Sequence, residues 1–223
     1  MSEAIRDPAS ATSPSTDRSI RRVEIAPRPS AGDPRGARVK SEADRLGLSI
    51  ESVRTSRVYL IESSMTDQQF ETVVGGLLCD DITEIPTSGA SDTEPGTVVI
   101  EVHPLPGVMD PASGTVESAL TDLFGVVANV RTGTRYDLVG ASTEDASVLA
   151  RRVLANTVIE SIHTSPYVPE AFPTLPPVDQ RVRHIEIREL DDAALERMSR
   201  EDHLFLSLDE MRAIRDEYRL LER

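Results

Sequence analysis

Apolar positions along the chain change period in an orderly way. From Val98 the run "VVIEVHP" is rich in Val and Ile and predicts a buried strand. Val116, Ala119, Leu120, Leu123 and Phe124 then follow the i, i+3, i+4, i+7, i+8 spacing of one helix face. The stretch "VVANVRTGTRYDLVG", 126–140, alternates like an extended chain, and Thr132-Gly133 predicts a bend or hairpin within it, so two strands are expected there. Ser142 with Asp145 reads as a helix N-terminal cap ahead of Ala146, Leu149, Ala150, Val153 and Leu154, and "VIESIH" closes the unit as a strand.

The same order occurs once before. A slide of about 77 positions lays Val23–Ile85 on Ile100–Ile162, and roughly a quarter of the paired positions are identical, which marks an internal duplication. Asp33-Pro34 falls on Asp110-Pro111, "VRT" at 53–55 on "VRT" at 130–132, and Tyr59 on Tyr136. Leu77 falls on Leu154, Ile82 on Ile159 and Ile85 on Ile162. In the first copy Thr66 and Gln69 form the capping pair, before Phe70, Val73, Val74, Leu77 and Leu78. The two second helices differ by one position, which predicts a small, compensated insertion between them.

A β-α-β-(β)-α-β unit of this size is the split βαβ pattern, so the fold class expected is α+β: two tandem ferredoxin-like units with helices on one face of an antiparallel sheet. Each copy can cover what the other leaves exposed, as in a pseudo-symmetric internal dimer. The expected organisation is a disordered, Ser/Thr/Pro-rich tail at 1–19, unit one at 20–86, a linker at 87–96 and unit two at 97–163. A Pro-rich connector follows at 164–180, anchored by Tyr167, Val168, Phe172 and Leu175. The remainder, 181–223, predicts a strand in "RVRHIEIREL" and two helices, capped by Asp191 and by Ser207 with Glu210. The last helix would carry Met211, Ile214, Tyr218 and Leu221 on one side.

Composition narrows the chemistry. A net charge of -14 disfavours a nucleic-acid surface, which needs Lys and Arg to displace counterions. One cysteine, Cys79, forms no internal disulfide and fits a small buried side chain at a helix end. With no apolar stretch of signal-peptide or membrane-spanning type, a reduced, cytoplasmic setting is expected. The loop "PGVMDPASG" lacks the Lys of a phosphate-binding loop, and Asp110 at a cap with Pro111 at the first helical position accounts for it without a ligand. No nucleophile-elbow motif is present, and His103, His163, His184 and His203 are scattered in the sequence. Arg54 and Arg131, the twin arginines of the "VRT" triplets, are the candidate interface or anion-contacting residues; pairing with acidic residues between the copies is the simpler role for them. The residues supply no catalytic, cofactor-binding or metal set.

The second copy resembles PurS, the small component of phosphoribosylformylglycinamidine (FGAM) synthase, in "IEVHPLPGVMDPASGTVESAL", "VRTGTRYDLVG" and "LARRVLANTVIESIH". The first copy resembles it less closely, and "LFLSLDEMRAIRDEYRLLER", 204–223, is similar to the helical linker ahead of the PurL-type catalytic domains. The resemblance implies a part in the glutamine- and ATP-dependent conversion of an amide to an amidine in purine biosynthesis, with partners of the synthetase (PurL-type) and glutaminase (PurQ-type) kinds. It implies a bridging part with no cofactor of its own, ATP and magnesium belonging to the catalytic part, and either a split subunit or a piece of a longer polypeptide. The alternative is a small-molecule-binding regulatory module of tandem ferredoxin-like (ACT-like) units.

Overall fold

A computed structural model describes residues 18–173 and 184–221. The chain divides into two units, Met1–Leu175 and Pro176–Arg223.

The first unit is built on one six-stranded sheet in the order β3-β1-β2-β5-β4-β6, antiparallel throughout. Copy one contributes β1 (Ser19–Pro27), α1 (Pro34–Arg45), β2 (Ser52–Ser63), α2 (Asp67–Val73) and β3 (Glu84–Ser88). Copy two contributes β4 (Thr97–Pro104), α3 (Pro111–Phe124), β5 (Asn129–Val139), α4 (Thr143–Leu149) and β6 (Glu160–His163). Strand begins at Ser19, so the tail expected over 1–19 gives way to β1 at its last residue; residues 1–17 lie outside the described ones.

Pairing of β2 with β5 along their whole length, Ser52 opposite Val139 to Glu62 opposite Asn129, joins the copies. Side chains alternate across a strand, so odd positions of β2 and even positions of β5 share one face. On that face lie two cores. One holds Val23, Ile25, Tyr59, Ile61, Phe70 and Val73 from copy one with Val116, Leu120 and Val130 from copy two. The other holds Ile100, Val102, Tyr136, Leu138 and Leu149 from copy two with Val39, Ala43, Ile50 and Val53 from copy one. The first helix of each copy, and the start of its long strand, therefore complete the other copy's core. The two ferredoxin-like units are exchanged, and neither has a whole core within its own stretch of sequence.

The helices begin where polar caps place them. Asp33 and Asp110 accept N–H bonds from Gly36 (2.8 Å) and Ser113 (3.0 Å), with Pro34 and Pro111 in the first turn where a missing N–H costs nothing. The same carboxylates reach the "VRT" threonines: Asp33 accepts from the Thr55 N–H (2.6 Å) and hydroxyl (3.0 Å), Asp110 from the Thr132 N–H (3.0 Å) and hydroxyl (3.0 Å). The two motifs that repeat most visibly in sequence are one device, which pins the start of each first helix to its own long strand, near the strand's beginning.

Three expectations change. β5 is a single strand through Thr132-Gly133, with no hairpin. Gly133 is there because a Cβ would stand 2.3 Å from the His103 ring, which lies across it. The one-residue offset between second helices is also uncompensated. Asp33 and Asp110 are 77 apart, but the turns before β3 and β6 match at 76, with Thr83 donating to Asp80 as Ile159 donates to Asn156. Leu78, and not Leu77, is thus the counterpart of Leu154, and the pairings of Ile82 with Ile159 and Ile85 with Ile162 fall away. Finally, of the sheet face or edge that each copy can cover for the other, the edge is the part covered: β2 meets β5 edge to edge, and neither copy covers the other's second sheet face. Both second helices end in a π-helical turn, Val74–Leu78 and Ala150–Leu154. Cys79 is partly buried beside the first core, and burial raises its thiol above the ordinary range.

In the second unit a 3-10 turn, Ile187–Glu189, stands where a strand was expected over 181–190, of which 181–183 lie outside the described residues. It precedes α5 (Asp192–Glu201), capped by Asp191, and α6 (Leu208–Leu220), which opens with the Ser207–Glu210 capping box. Met211 and Leu195 are fully buried, whereas Tyr218 and Leu221 are about half exposed.

Candidate functional site

The sheet's second face, away from the helices, carries the densest polar chemistry among the described residues. Arg22 and Glu24 of β1, Glu101 and His103 of β4, and Arg135 of β5 are all buried, and Asp137 borders them. Arg22 bonds Glu24 (3.1 Å) and reaches Glu101 of the other copy (3.1 Å); Arg135 bonds Glu24 (3.2 Å) and Asp137 (3.0 Å). Glu24 is held from two sides. His103 Nδ1 faces the Thr132 carbonyl and Nε2 the Glu101 carboxylate, each at 3.2 Å. Both partners are acceptors, so each ring nitrogen can serve its partner only when it carries a proton.

Two connecting segments lie across this layer. From the linker, the Ser91 hydroxyl donates to Glu24, and Arg135 donates to the Ser91 carbonyl (2.9 Å) and the Thr93 hydroxyl (3.3 Å). From the connector, the Tyr167 N–H donates to Glu101 (2.9 Å) and its carbonyl accepts from Arg22 (3.0 Å). The Tyr167 ring stacks on His163 at 4.3 Å and tilts against His103 at 5.1 Å. Of the other expected anchors, Phe172 sits under the Arg131 guanidinium at 5.6 Å, Val168 is mostly exposed, and Leu175 lies outside the described residues.

Burial and charge set the ionisation of these groups. Burial disfavours the Glu101 carboxylate, but His103, Arg22 and the Tyr167 N–H outweigh it and hold the group below the usual range. Burial wins at Asp137, whose carboxyl is raised despite Arg135. Arg135 loses stability to burial yet is raised overall by Asp137 and Glu24. Burial, then the charge of His103, lowers His163.

The arrangement is a clamp. Its carboxylates are saturated by guanidinium and N–H donors, which leaves no poised base or nucleophile in the layer. Ser161 Oγ lies 3.0 Å from His163 Nε2 but donates to the His103 carbonyl (3.1 Å), and a hydroxyl has one proton to give. Among the described residues, no three His, Cys, Asp or Glu side chains are grouped so as to hold a metal ion.

Arg54 and Arg131 are not brought together. Arg54 bonds Glu94 of the linker (2.9 Å), which raises its guanidinium above the ordinary value, and Arg131 lies over Phe172. His103 and His163 meet at 5.6 Å, whereas His184 and His203 belong to the other unit and are exposed. Sequence reasoning missed Arg22, Glu24, Glu101 and Arg135. The available signal was a charged residue inside each Val/Ile strand, "RRVEI" and "VVIEV", at positions where a strand buried on both faces must pair its charges.

A duplicated chain with one continuous sheet, exchanged first helices and a clamped second face defines a fused pair of ferredoxin-like units. The model of the PurS family, described as phosphoribosylformylglycinamidine (FGAM) synthase, matches residues 21–85 and again 97–166, and the chain belongs to that family. No curated protein matches it. The family places the chain in FGAM synthase and purine biosynthesis. Among the described residues no helix is long and apolar enough to cross a membrane.

Proposed function

We propose that this chain is the assembly part of an FGAM synthase, bridging a PurL-type synthetase and a PurQ-type glutaminase while carrying neither active site, with residues 204–223 opening the linker toward the synthetase. The observation that carries this reading is the double family match laid on one exchanged body: two PurS-like units, each completed by the other, form a preassembled pair within a single chain. A fused pair holds its two outer surfaces in fixed geometry, and this lowers the entropy lost when two partners are held together. In this reading ATP and magnesium act in the synthetase and not here.

Reconstitution tests it. The chain is mixed with the synthetase and glutaminase of the same organism and followed by size-exclusion chromatography and by amidine formation. Co-elution of all three is expected, with glutamine-driven synthesis dependent on the chain and ammonia-driven synthesis far less so. Co-elution with neither partner, or glutamine-driven synthesis at the same rate without the chain, would overturn the proposal.

A further inference from the structure

Strand β6 pairs with β4 only from Pro104 to Glu101, while β4 runs on to Thr97. The Gly140 N–H donates to the Gly96 carbonyl, so by antiparallel alternation the even residues of β4 bond β5 and the odd residues face outward. The Thr97 N–H turns back to the Glu94 carbonyl (3.1 Å). Among the described residues nothing pairs with the outward N–H and C=O of Val99, a strand edge beside a groove of about 720 Å³. Thr97 Oγ1, also at this groove, is the buried side-chain polar atom that lacks a hydrogen-bond partner among the described residues. A buried hydroxyl without a partner is uncommon enough to require an explanation.

The counterpart in copy one is closed. The Gly89 N–H bonds the carbonyl of Arg22, the residue equivalent to Val99, at 2.9 Å. Phe70 stands where copy two has Ala146, and Arg21, in place of Val98, lies 5.2 Å over the Phe70 ring and donates to the Thr66 carbonyl (3.3 Å). The hollow there is about 310 Å³. Copy two lacks both large side chains and the strand pairing at one place. The groove has no acidic residue in its lining, within a chain of net charge -14, and its one charged side chain, Arg151, is exposed.

We propose that this groove binds a short extended segment of a partner polypeptide, apolar at alternate positions and bearing one acidic side chain. The segment adds a strand beside Val99, fills the space Phe70 occupies in copy one, and sets its carboxylate against Arg151. The inference stands apart from the bridging role, since it holds whichever polypeptide supplies the segment.

The probe is a displayed library of random heptapeptides selected on the full chain, followed by amide hydrogen exchange with the best peptide. Enrichment of alternating apolar sequences with one Asp or Glu is expected, together with at least tenfold slower exchange at Val99. Arg151→Glu, at an exposed position, should shift the selected charge to Lys or Arg, and Val98→Arg, copying copy one, should cut binding at least tenfold. Ala146→Phe should do the same, with circular dichroism confirming that it folds. No enrichment, peptides indifferent to Arg151→Glu and Val98→Arg, or Val99 exchange unchanged on binding would each overturn the proposal, as would equally tight binding of capped single amino acids.

Discussion

On the helix-covered face of the sheet, what one copy has the other has too: Tyr59 and Tyr136 are both buried, and Val73 and Leu149 fill matching places in the two cores. On the opposite face Glu24 and Glu101 are the twins among the buried residues, and the twinned Arg54 and Arg131 are exposed. Arg22 corresponds to Val99, Arg135 to Val58, and His103 to Ala26. The duplicated positions make the fold, and the positions that depart from the repeat make the clamp. An edge-to-edge pair leaves its second face without a helix layer, and polar side chains tied to two connecting segments cover it here.

The strongest way to break this contrast is to remove one charge from the clamp. Glu101→Ala leaves the buried Arg22 and Arg135 guanidinium groups sharing Glu24 and takes the acceptor from the Tyr167 N–H, and a loss of about 3–5 kcal/mol is expected in a urea titration. Pairing Arg22→Met with Glu101→Leu should recover most of it, because Arg135 still serves Glu24. A loss under about 1 kcal/mol for Glu101→Ala would show a hydrated layer instead.

On the helix face the test is Leu120→Ala. Leu120 belongs to copy two by sequence but to copy one's core by packing, and its truncation should cost about 2–5 kcal/mol. In double-mutant cycles it should couple with Phe70→Ala and simply add to Leu149→Ala, which lies in the other core. The reverse pattern would mean that the helices are not exchanged. Asp110→Ala should cost about 2 kcal/mol, above an ordinary cap because the Thr132 N–H and hydroxyl lose their acceptor as well.

These cases show what the sequence made legible. Two copies with the same 3.6 and 2.0 periods fixed the helices, strands and caps, and Thr66–Gln69, Ser142–Asp145 and Ser207–Glu210 all cap where expected. The exchange was hidden because periodicity says that a helix needs an apolar partner, but not which half of a sheet supplies it. Gly133 read as a bend because a glycine in a strand signals either a kink or a close approach, and the approaching ring, His103, is 30 residues away. The clamp was hidden for a different reason: a repeat makes twinned residues such as Arg54 and Arg131 stand out, and Arg22 and Arg135 have no twins.

Acid should separate the faces without any substitution. His163 is lowered in the folded state, so its contribution is complete above its ordinary value near 6.5 and is lost as pH falls through that window. Glu101, also lowered, withdraws its contribution at more acid pH, as pH falls through its folded value. Asp137, raised, works oppositely, costing stability as pH climbs from its unfolded toward its folded value. Thermal midpoints should therefore fall from pH 7 to pH 5, and His163→Gln should flatten that slope. An unchanged slope would remove His163 from the clamp's energetics.

The smallest effect belongs to the residue that looked most suggestive in sequence. Arg54 bonds Glu94 at 2.9 Å, but about half of the Arg54 side chain and 63% of that of Glu94 are exposed, and a solvated pair of this kind gains little against side-chain entropy and screening by salt. Arg54→Ala should leave the urea midpoint at 150 mM salt indistinguishable from wild type, with a shift emerging only at low ionic strength. Arg135, fully buried between Glu24 and Asp137, should respond to the same truncation with a large loss that salt does not abolish. If Arg54→Ala instead destabilised as strongly as Arg135→Ala, the linker would be held by its exposed ion pair, and the second face would not be what fastens it.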